Sequence, residues 1–366
     1  MPTDRLESMR RRDPHPTTGP QHVVVDLTNH CNNNCIACWT RSPLLRDQGP
    51  APAWFEQQLD GRVMRRALTD LAAMGCEIVR FTGGGEPTLH PDFAELVTLS
   101  TDAGMRVAVT TNGTTLKRLP DECLERIDEL TVSLWCASPA TYARLHPNKT
   151  GRTFDRIVSE LRRVGELKRS GGCPELVIAN VICMMNHHEL EAMLELAADV
   201  GAARVYFAVV DPVPGCTDGL LLNDETARAL TVTARSAFDR WRHAVAIDNE
   251  AGFLRRLEDN DPEAGRYDRQ AVNEVPCLVG WGFARIMADG QVVPCCRAVR
   301  KPMGDLNTRS FREIWASPSY EKFRAHADVD KADPYFAEIR CDLTCDNLMH
   351  NREWSALLDG DEPQCR

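Results

Sequence analysis

No run of apolar residues approaches the ~20 needed to cross a bilayer, and the opening MPTDRLESMRRRDPHP lacks the apolar stretch that a signal peptide requires. Neither membrane insertion nor secretion is expected, and the expected location is the cytoplasm. Positive charge is also scarce: 43 Lys and Arg against 53 Asp and Glu leave a net charge of −10, and outside Arg10, Arg11 and Arg12 the arginines are scattered. A chain without a basic field does not hold a phosphate backbone, so nucleic acid is not an expected partner. Internal repeats of fixed period and low-complexity tracts are absent too, which excludes a repeat array.

What is present is a chain of 366 residues, 43% hydrophobic, enough for one large α/β domain with a smaller appendage. It holds fifteen cysteines. In a reducing compartment clustered cysteines bind metal or do redox chemistry more often than they form disulfides. Three stand together, Cys31, Cys35 and Cys38, and a second set, Cys277, Cys295, Cys296, Cys341 and Cys345, lies in the last quarter. Cys76, Cys123, Cys136, Cys173, Cys183 and Cys216 are singles, and a lone cysteine ordinarily packs as a small hydrophobe.

Residues 1–20 are polar and aperiodic and read as a flexible N-terminal arm. From His22 onward, β-branched runs at 22–28, 77–82, 105–111, 129–135, 175–184 and 203–210 alternate with helical patterns such as 54–74, 91–103, 154–169 and 187–200. Gly104 and Gly201 are placed as helix stops. Six β-α units over residues 21–222 predict a parallel sheet covered by helices, an open partial barrel. Residues 223–270 read as a helical connector, 271–350 as a small Cys-rich domain with a hairpin at Asp289-Gly290, and 351–366 as a tail.

The unusual residues fall just beyond the C-terminal ends of the expected strands, the rim where parallel sheets bind ligands. In Cys31-x3-Cys35-x2-Cys38, three thiolates on one loop suffice for three corners of a cluster and leave one iron open. The alternative is a zinc knuckle with a distant fourth ligand. After the second strand comes Gly83-Gly84-Gly85-Glu86-Pro87, where missing Cβ atoms admit close backbone approach and Glu86 offers a negative charge.

Together these two motifs resemble those of the radical S-adenosylmethionine (radical SAM) superfamily, over roughly residues 22–210. The resemblance implies a partial (β/α)6 radical SAM barrel. It implies that Cys31, Cys35 and Cys38 hold a 4Fe-4S cluster whose open iron is chelated by S-adenosylmethionine. Gly84, Gly85, Glu86 and Pro87 would then receive the methionine amino group. Thr111 and Asn112 fall near the ribose, Ser133 near the cofactor carboxylate, and Trp39 beside adenine. The chain has Ala37 where the family often has an aromatic residue before the third cysteine. Cys277, Cys295, Cys341 and Cys345 resemble the ligands of a second 4Fe-4S cluster in a C-terminal twitch/SPASM-like domain; Cys296 competes with Cys295, and Cys365 is a late candidate. A zinc ribbon is the alternative.

The chemistry so implied is reductive cleavage of the cofactor to a 5′-deoxyadenosyl radical, fed by a one-electron donor such as flavodoxin or ferredoxin, followed by hydrogen abstraction from substrate. Cys136, Cys183 and Cys216 are the candidate hydrogen donors. The expected substrate is a small polyol, namely a sugar, aminocyclitol or nucleotide sugar of natural-product, antibiotic or glycan biosynthesis. Dehydrogenation, epimerisation or dehydration would follow. Two considerations support it: the likeness to carbohydrate-modifying twitch enzymes, and a cysteine loop beginning about 30 residues in, without room for a preceding peptide-recognition domain. The alternatives are a peptide or protein side-chain maturase and a non-enzymatic iron-sulfur or zinc scaffold.

Overall fold

The computed structural model describes residues 3–169, 174–258, 261, 264–268, 271–327, 333–337, 339, 341 and 345–360. Cys173 and Cys365 lie outside them. Ten strands follow in chain order: β1 His22–Asp26, β2 Ile78–Thr82, β3 Arg106–Thr111, β4 Glu129–Ser133, β5 Glu175–Ile182, β6 Arg204–Val209, β7 Ala246–Ile247, β8 Phe283–Ile286, β9 Gln291–Val293 and β10 Gly304–Asp305. The helices are α1 Thr3–Arg11, α2 Gly61–Ala73, α3 Phe93–Asp102, α4 Asp121–Leu124, α5 Pro139–Leu145, α6 Gly151–Arg169 and α7 Leu190–Asp199. After them come α8 Asp224–Trp241, α9 Glu250–Glu258, α10 Val279–Gly282, α11 Phe311–Trp315, α12 Pro318–His326 and α13 Leu348–Asp359. By internal contact the chain divides into two compact units, one of residues 1–29, 57–107 and 268–366, the other of residues 30–56 and 108–267.

In the first unit β1 lies between β2 and β8, parallel to both, and β9 and β10 continue antiparallel from β8. The β8–β9 pair is the hairpin expected around Asp289-Gly290, with Gly290 at φ 90°. β1 is buried at every position, the pattern of a strand covered on both faces. Helix α2 begins where the Asp60 carboxylate accepts from the Arg62 N–H, and it buries Met64, Ala67, Leu68 and Leu71 at helical spacing. Its start at Gly61, later than the expected 54, follows from that cap and from a short 3-10 turn at Pro52–Glu56.

The N-terminal segment corrects the expectation of a flexible arm. Thr3–Arg11 is helical, and Arg5 is fully buried: Nε donates to Gly19 O (3.0 Å), Nη2 to Gly75 O (2.7 Å), and Nη1 pairs with Glu77 (2.7 Å). A guanidinium with satisfied donors tolerates burial, whereas an unpaired one does not. Nor are residues 351–366 wholly a tail, since α13 runs to Asp359 and buries Trp354.

The second unit is all parallel, in the order β3-β4-β5-β6-β7. Helices α6 and α7 bury apolar stripes that include Phe154, Ile157, Leu161, Met193 and Leu194. Register puts Thr110, Thr131 and Val177 on one face, with Ser133, Ala179 and Tyr206 next along it. On that face, at the N-terminal ends of the strands, Arg204 ties three elements together. It pairs with Glu129 at 2.6 Å, Asp248 at 3.0 Å and Glu175 at 3.2 Å.

Candidate functional site

The cysteine loop belongs to the second unit, and the segment around α5 holds it from one side. Ile36 N–H donates to Leu145 O (2.8 Å). Asn34 and Asn148 exchange bonds, each backbone N–H donating to the other's Oδ1, at 3.2 and 2.9 Å. Asn148 Nδ2 adds a bond to Asn32 O at 3.0 Å. Beyond β3, Asn112 Nδ2 donates to Asn32 Oδ1 (2.9 Å) and lies 3.8 Å from Cys31 Sγ, while Thr114 Oγ accepts from Asn32 Nδ2 (2.8 Å). Asn112 therefore supports the cysteine loop directly. Thr111 is 2% exposed and its hydroxyl accepts from Gly113 N–H (3.1 Å), the contact of a tight turn.

Within the loop the three thiols influence one another: burial, then Cys38, then Cys31 push the Cys35 thiol far above its usual range. A buried thiol among thiols resists ionisation until a metal takes the charge. Asn33 is 3% exposed, and neither of its side-chain amide atoms has a hydrogen-bond partner. The residues present thus fit an iron-sulfur cluster: three neighbouring thiols, and beside them a buried amide in want of an acceptor.

At the end of β4 the part-exposed Ser133 is followed by Trp135, whose φ of 66° is unusual for a bulky residue. Asn186 holds that backbone in place, donating to Trp135 O and Val181 O (2.7 Å each) and accepting from Cys183 N–H (2.7 Å). Such strain persists where surrounding bonds over-determine it, commonly at functional sites. Trp39 is 48% exposed, with Nε1 bonded to Asp211 O at 2.9 Å. Cys136 and Cys183 are 1% and 2% exposed, and burial raises both thiols; Cys216 is partly exposed. The first two sit as packed apolar groups.

The glycine turn belongs to the first unit. Gly85 N–H donates to Thr28 O (3.0 Å), and a Cβ on Gly83 would fall 2.9 Å from that carbonyl, so the fold requires glycine there. Glu86, 2% exposed, precedes a 3-10 turn that starts at Pro87, and its Oε1 accepts from the Thr88 N–H (3.2 Å) and hydroxyl (2.6 Å).

Also in the first unit, Cys277, Cys295, Cys341 and Cys345 line one cavity with Val279 and Phe336. Burial and then Cys341, Cys277, Cys296 and Cys345 push the Cys295 thiol well up. Four thiols lining one cavity form a soft donor set that fits an iron-sulfur cluster. Cys296 does not line that cavity. Its neighbour is the half-buried Arg285, whose guanidinium pairs with Asp26 at 2.6 Å and donates to Cys296 O at 3.3 Å. Burial opposes the Arg285 charge, but Asp26 and then Cys296 outweigh it. Neither this ion pair nor Asn148 was apparent from the sequence, because both work through partners distant along the chain.

Residues 25–200 match the radical SAM superfamily, and residues 277–346 match SPASM, an iron-sulfur cluster-binding domain. The chain belongs to the radical SAM superfamily and carries a C-terminal SPASM domain, and the α/β fold expected from the sequence is the one found. With these domains come S-adenosylmethionine and two iron-sulfur clusters. Among its relatives is the AdoMet-dependent heme synthase of Methanosarcina barkeri, 27% identical over 329 residues, which are 86% of this chain and 87% of that protein. The PqqA peptide cyclase of Ruegeria pomeroyi is 28% identical over 304 residues, 81% of this chain and 74% of that one. The structure of Streptococcus suis SuiB bound to precursor peptide SuiA shares the fold at a TM-score of 0.64 and 16% identity. It covers 88% of this chain and 70% of that one.

These relatives overturn the expected small-polyol substrate, and with it carbohydrate modification and antibiotic biosynthesis, since peptide cyclases recur among them. The number of residues before the cysteine loop does not discriminate between substrates, because the rim of a parallel sheet is itself where ligands bind. No helix among the described residues is long and apolar enough to cross a membrane.

Proposed function

We propose that this radical SAM enzyme modifies a side chain of a peptide or protein, in the manner of a precursor-peptide maturase. The observation that carries the reading is the likeness to PqqA peptide cyclases, one of them over 304 residues that make up 81% of the chain. Cys31, Cys35 and Cys38 hold the cluster that binds S-adenosylmethionine, and Cys277, Cys295, Cys341 and Cys345 hold the auxiliary cluster. When bound, the cofactor and the reduced cluster supply a 5′-deoxyadenosyl radical that takes hydrogen from carbon.

The protein's own part is placement. Glu86 presents a buried negative charge for the methionine ammonium, and the turn from Gly84 to Pro87 lets the backbone approach. Asn112 positions the cysteine loop, Thr111 shapes the turn beside it, and Ser133 offers a hydroxyl to the cofactor carboxylate. Trp39 supplies an apolar surface for adenine while its indole N–H stays bonded. A ferredoxin or flavodoxin supplies the electron.

The test is anaerobic reconstitution, followed by incubation with S-adenosylmethionine, a reductant and short peptides encoded beside the gene. Deoxyadenosine released only with peptide, together with a mass change in that peptide, is the expected result; no change in any such peptide overturns the reading. The heme synthase match, over 87% of that protein, favours a second reading in which an iron porphyrin is the substrate. Adding an iron porphyrin in place of peptide in the same assay separates the two.

A further inference from the structure

Between the cysteine loop and α5 lie three buried polar atoms that the fold leaves without partners. They are Nδ2 and Oδ1 of Asn33 and the hydroxyl of Tyr142, and their residues are 3% and 0% exposed. An unsatisfied buried polar group costs ~1–3 kcal/mol, so three in one place call for an explanation. Tyr142 has no freedom to seek water. Its ring stacks on His146 at 4.1 Å and meets Phe154 at 5.8 Å, while the end of its helix is bolted to the loop through Ile36 N–H and Leu145 O. Asn33 is fixed as well, its backbone N–H lying 3.4 Å from Cys31 Sγ. The Asn33 side chain acts on both the Cys35 thiol and the Tyr142 hydroxyl, opposing the upward push of burial on each. It lies within weak hydrogen-bonding reach of both groups, but neither contact has the geometry of a full hydrogen bond.

We infer that Tyr142 and Asn33 form a buried hydrogen-bond relay that closes on the Cys35 sulfur once the cluster is bound and sets the cluster's reduction potential. Tyr142 OH donates to Asn33 Oδ1, which turns the amide so that Nδ2–H donates to the Cys35 thiolate. A thiol does not attract such a donor strongly, whereas a ligating thiolate does. All three stranded atoms are then satisfied at once. A hydrogen bond to a cluster sulfur withdraws electron density and favours the reduced state, so the relay makes the cluster easier to reduce. Tyr142 is a positioning residue that acts through Asn33.

The inference rests on the reading that Cys31, Cys35 and Cys38 hold the cluster. Its test is a redox titration of the reconstituted full-length enzyme, following the electron paramagnetic resonance signal that changes when S-adenosylmethionine is added. That choice selects this cluster over the auxiliary one. Tyr142→Phe removes a single oxygen and keeps the stacked ring; Asn33→Leu removes the amide at similar volume. Both variants are expected to keep wild-type iron and sulfide and to shift the midpoint potential downward. The double variant is expected to shift no further than Asn33→Leu alone, because the tyrosine acts through the amide.

An unchanged potential in Tyr142→Phe with iron intact overturns the relay, as do additive shifts in the double variant. Should Asn33→Leu fail to take up iron, Tyr142→Phe decides alone. A wild-type enzyme that assembles no such cluster would instead overturn the proposed cluster ligands, and so the two failures are distinguishable.

Discussion

Replacing Gly83 by alanine tests whether the glycine turn is shaped by the packing seen here. The added Cβ would stand 2.9 Å from Thr28 O, 3.1 Å from Gly85 N and 3.2 Å from Gly85 O, all backbone atoms that cannot swing aside. Relief requires the turn to move off the end of β1, and the Gly85 N–H bond to Thr28 O opens as it does. Overpacking of this kind costs ~1–3 kcal/mol and the lost bond ~0.5–1.5 kcal/mol. The sum, about 1.5–4.5 kcal/mol, corresponds to a loss of roughly 10-fold to 2,000-fold in whatever equilibrium absorbs it.

Because Glu86 and the 3-10 turn after it follow directly, we expect much of that loss in S-adenosylmethionine affinity, with the remainder as a lowered Tm. Isothermal titration of the anaerobically reconstituted variant measures the first and thermal unfolding the second, while iron content stays at the wild-type value. Gly219→Ala is the control, since no atom lies within 4 Å of its would-be Cβ. Wild-type affinity and wild-type Tm in Gly83→Ala would refute the reasoning.

Three further outcomes follow from the geometry. Cys295→Ala is expected to drop iron from about eight to about four per chain, and Cys296→Ala to leave the count unchanged, by colorimetric assay; equal losses would place Cys296 among the ligands. Arg204→Met strands three carboxylates and should cost about 3 kcal/mol in urea unfolding at neutral pH, less on acidification, which neutralises their repulsion. His146, 1% exposed, is held at a pKa of about 4 by burial against an ordinary 6.5. In that window the unfolded chain binds a proton that the folded chain refuses, so stability falls as pH drops from 6.5 toward 4, by about 3 kcal/mol in all. His146→Phe should lose this slope in paired unfolding curves, and an unaltered slope would assign it elsewhere.

The six strands from β1 to β6 were legible because each is a β-branched run, and Gly104 and Gly201, at φ 82° and 75°, stop the helices where expected. The cysteine loop and the glycine turn were legible as short motifs whose residue types suit a cluster and an ammonium. The role of Arg5 was not, since its acceptors Gly19 O, Gly75 O and Glu77 lie up to 72 residues away and only the fold unites them. Nor was the joining of β8 to β1, which pairs His22 with Phe283 and Val25 with Ile286. Asn148 was passed over because it acts through the backbone of another loop. Substrate choice was misread for a related reason: hydroxyls, imidazoles and amides at a strand rim serve sugars and peptides alike, and nothing in their order distinguishes the two.

The exchange between Asn34 and Asn148, with the Ile36–Leu145 bond and the Asn112 and Thr114 contacts to Asn32, bears on how the enzyme is matured. These bonds tie the cysteine loop to segments 80 and 114 residues further along the chain. The loop therefore takes its shape only once those segments have folded, and a lesion in either should surface as poor metal uptake with every ligand still present.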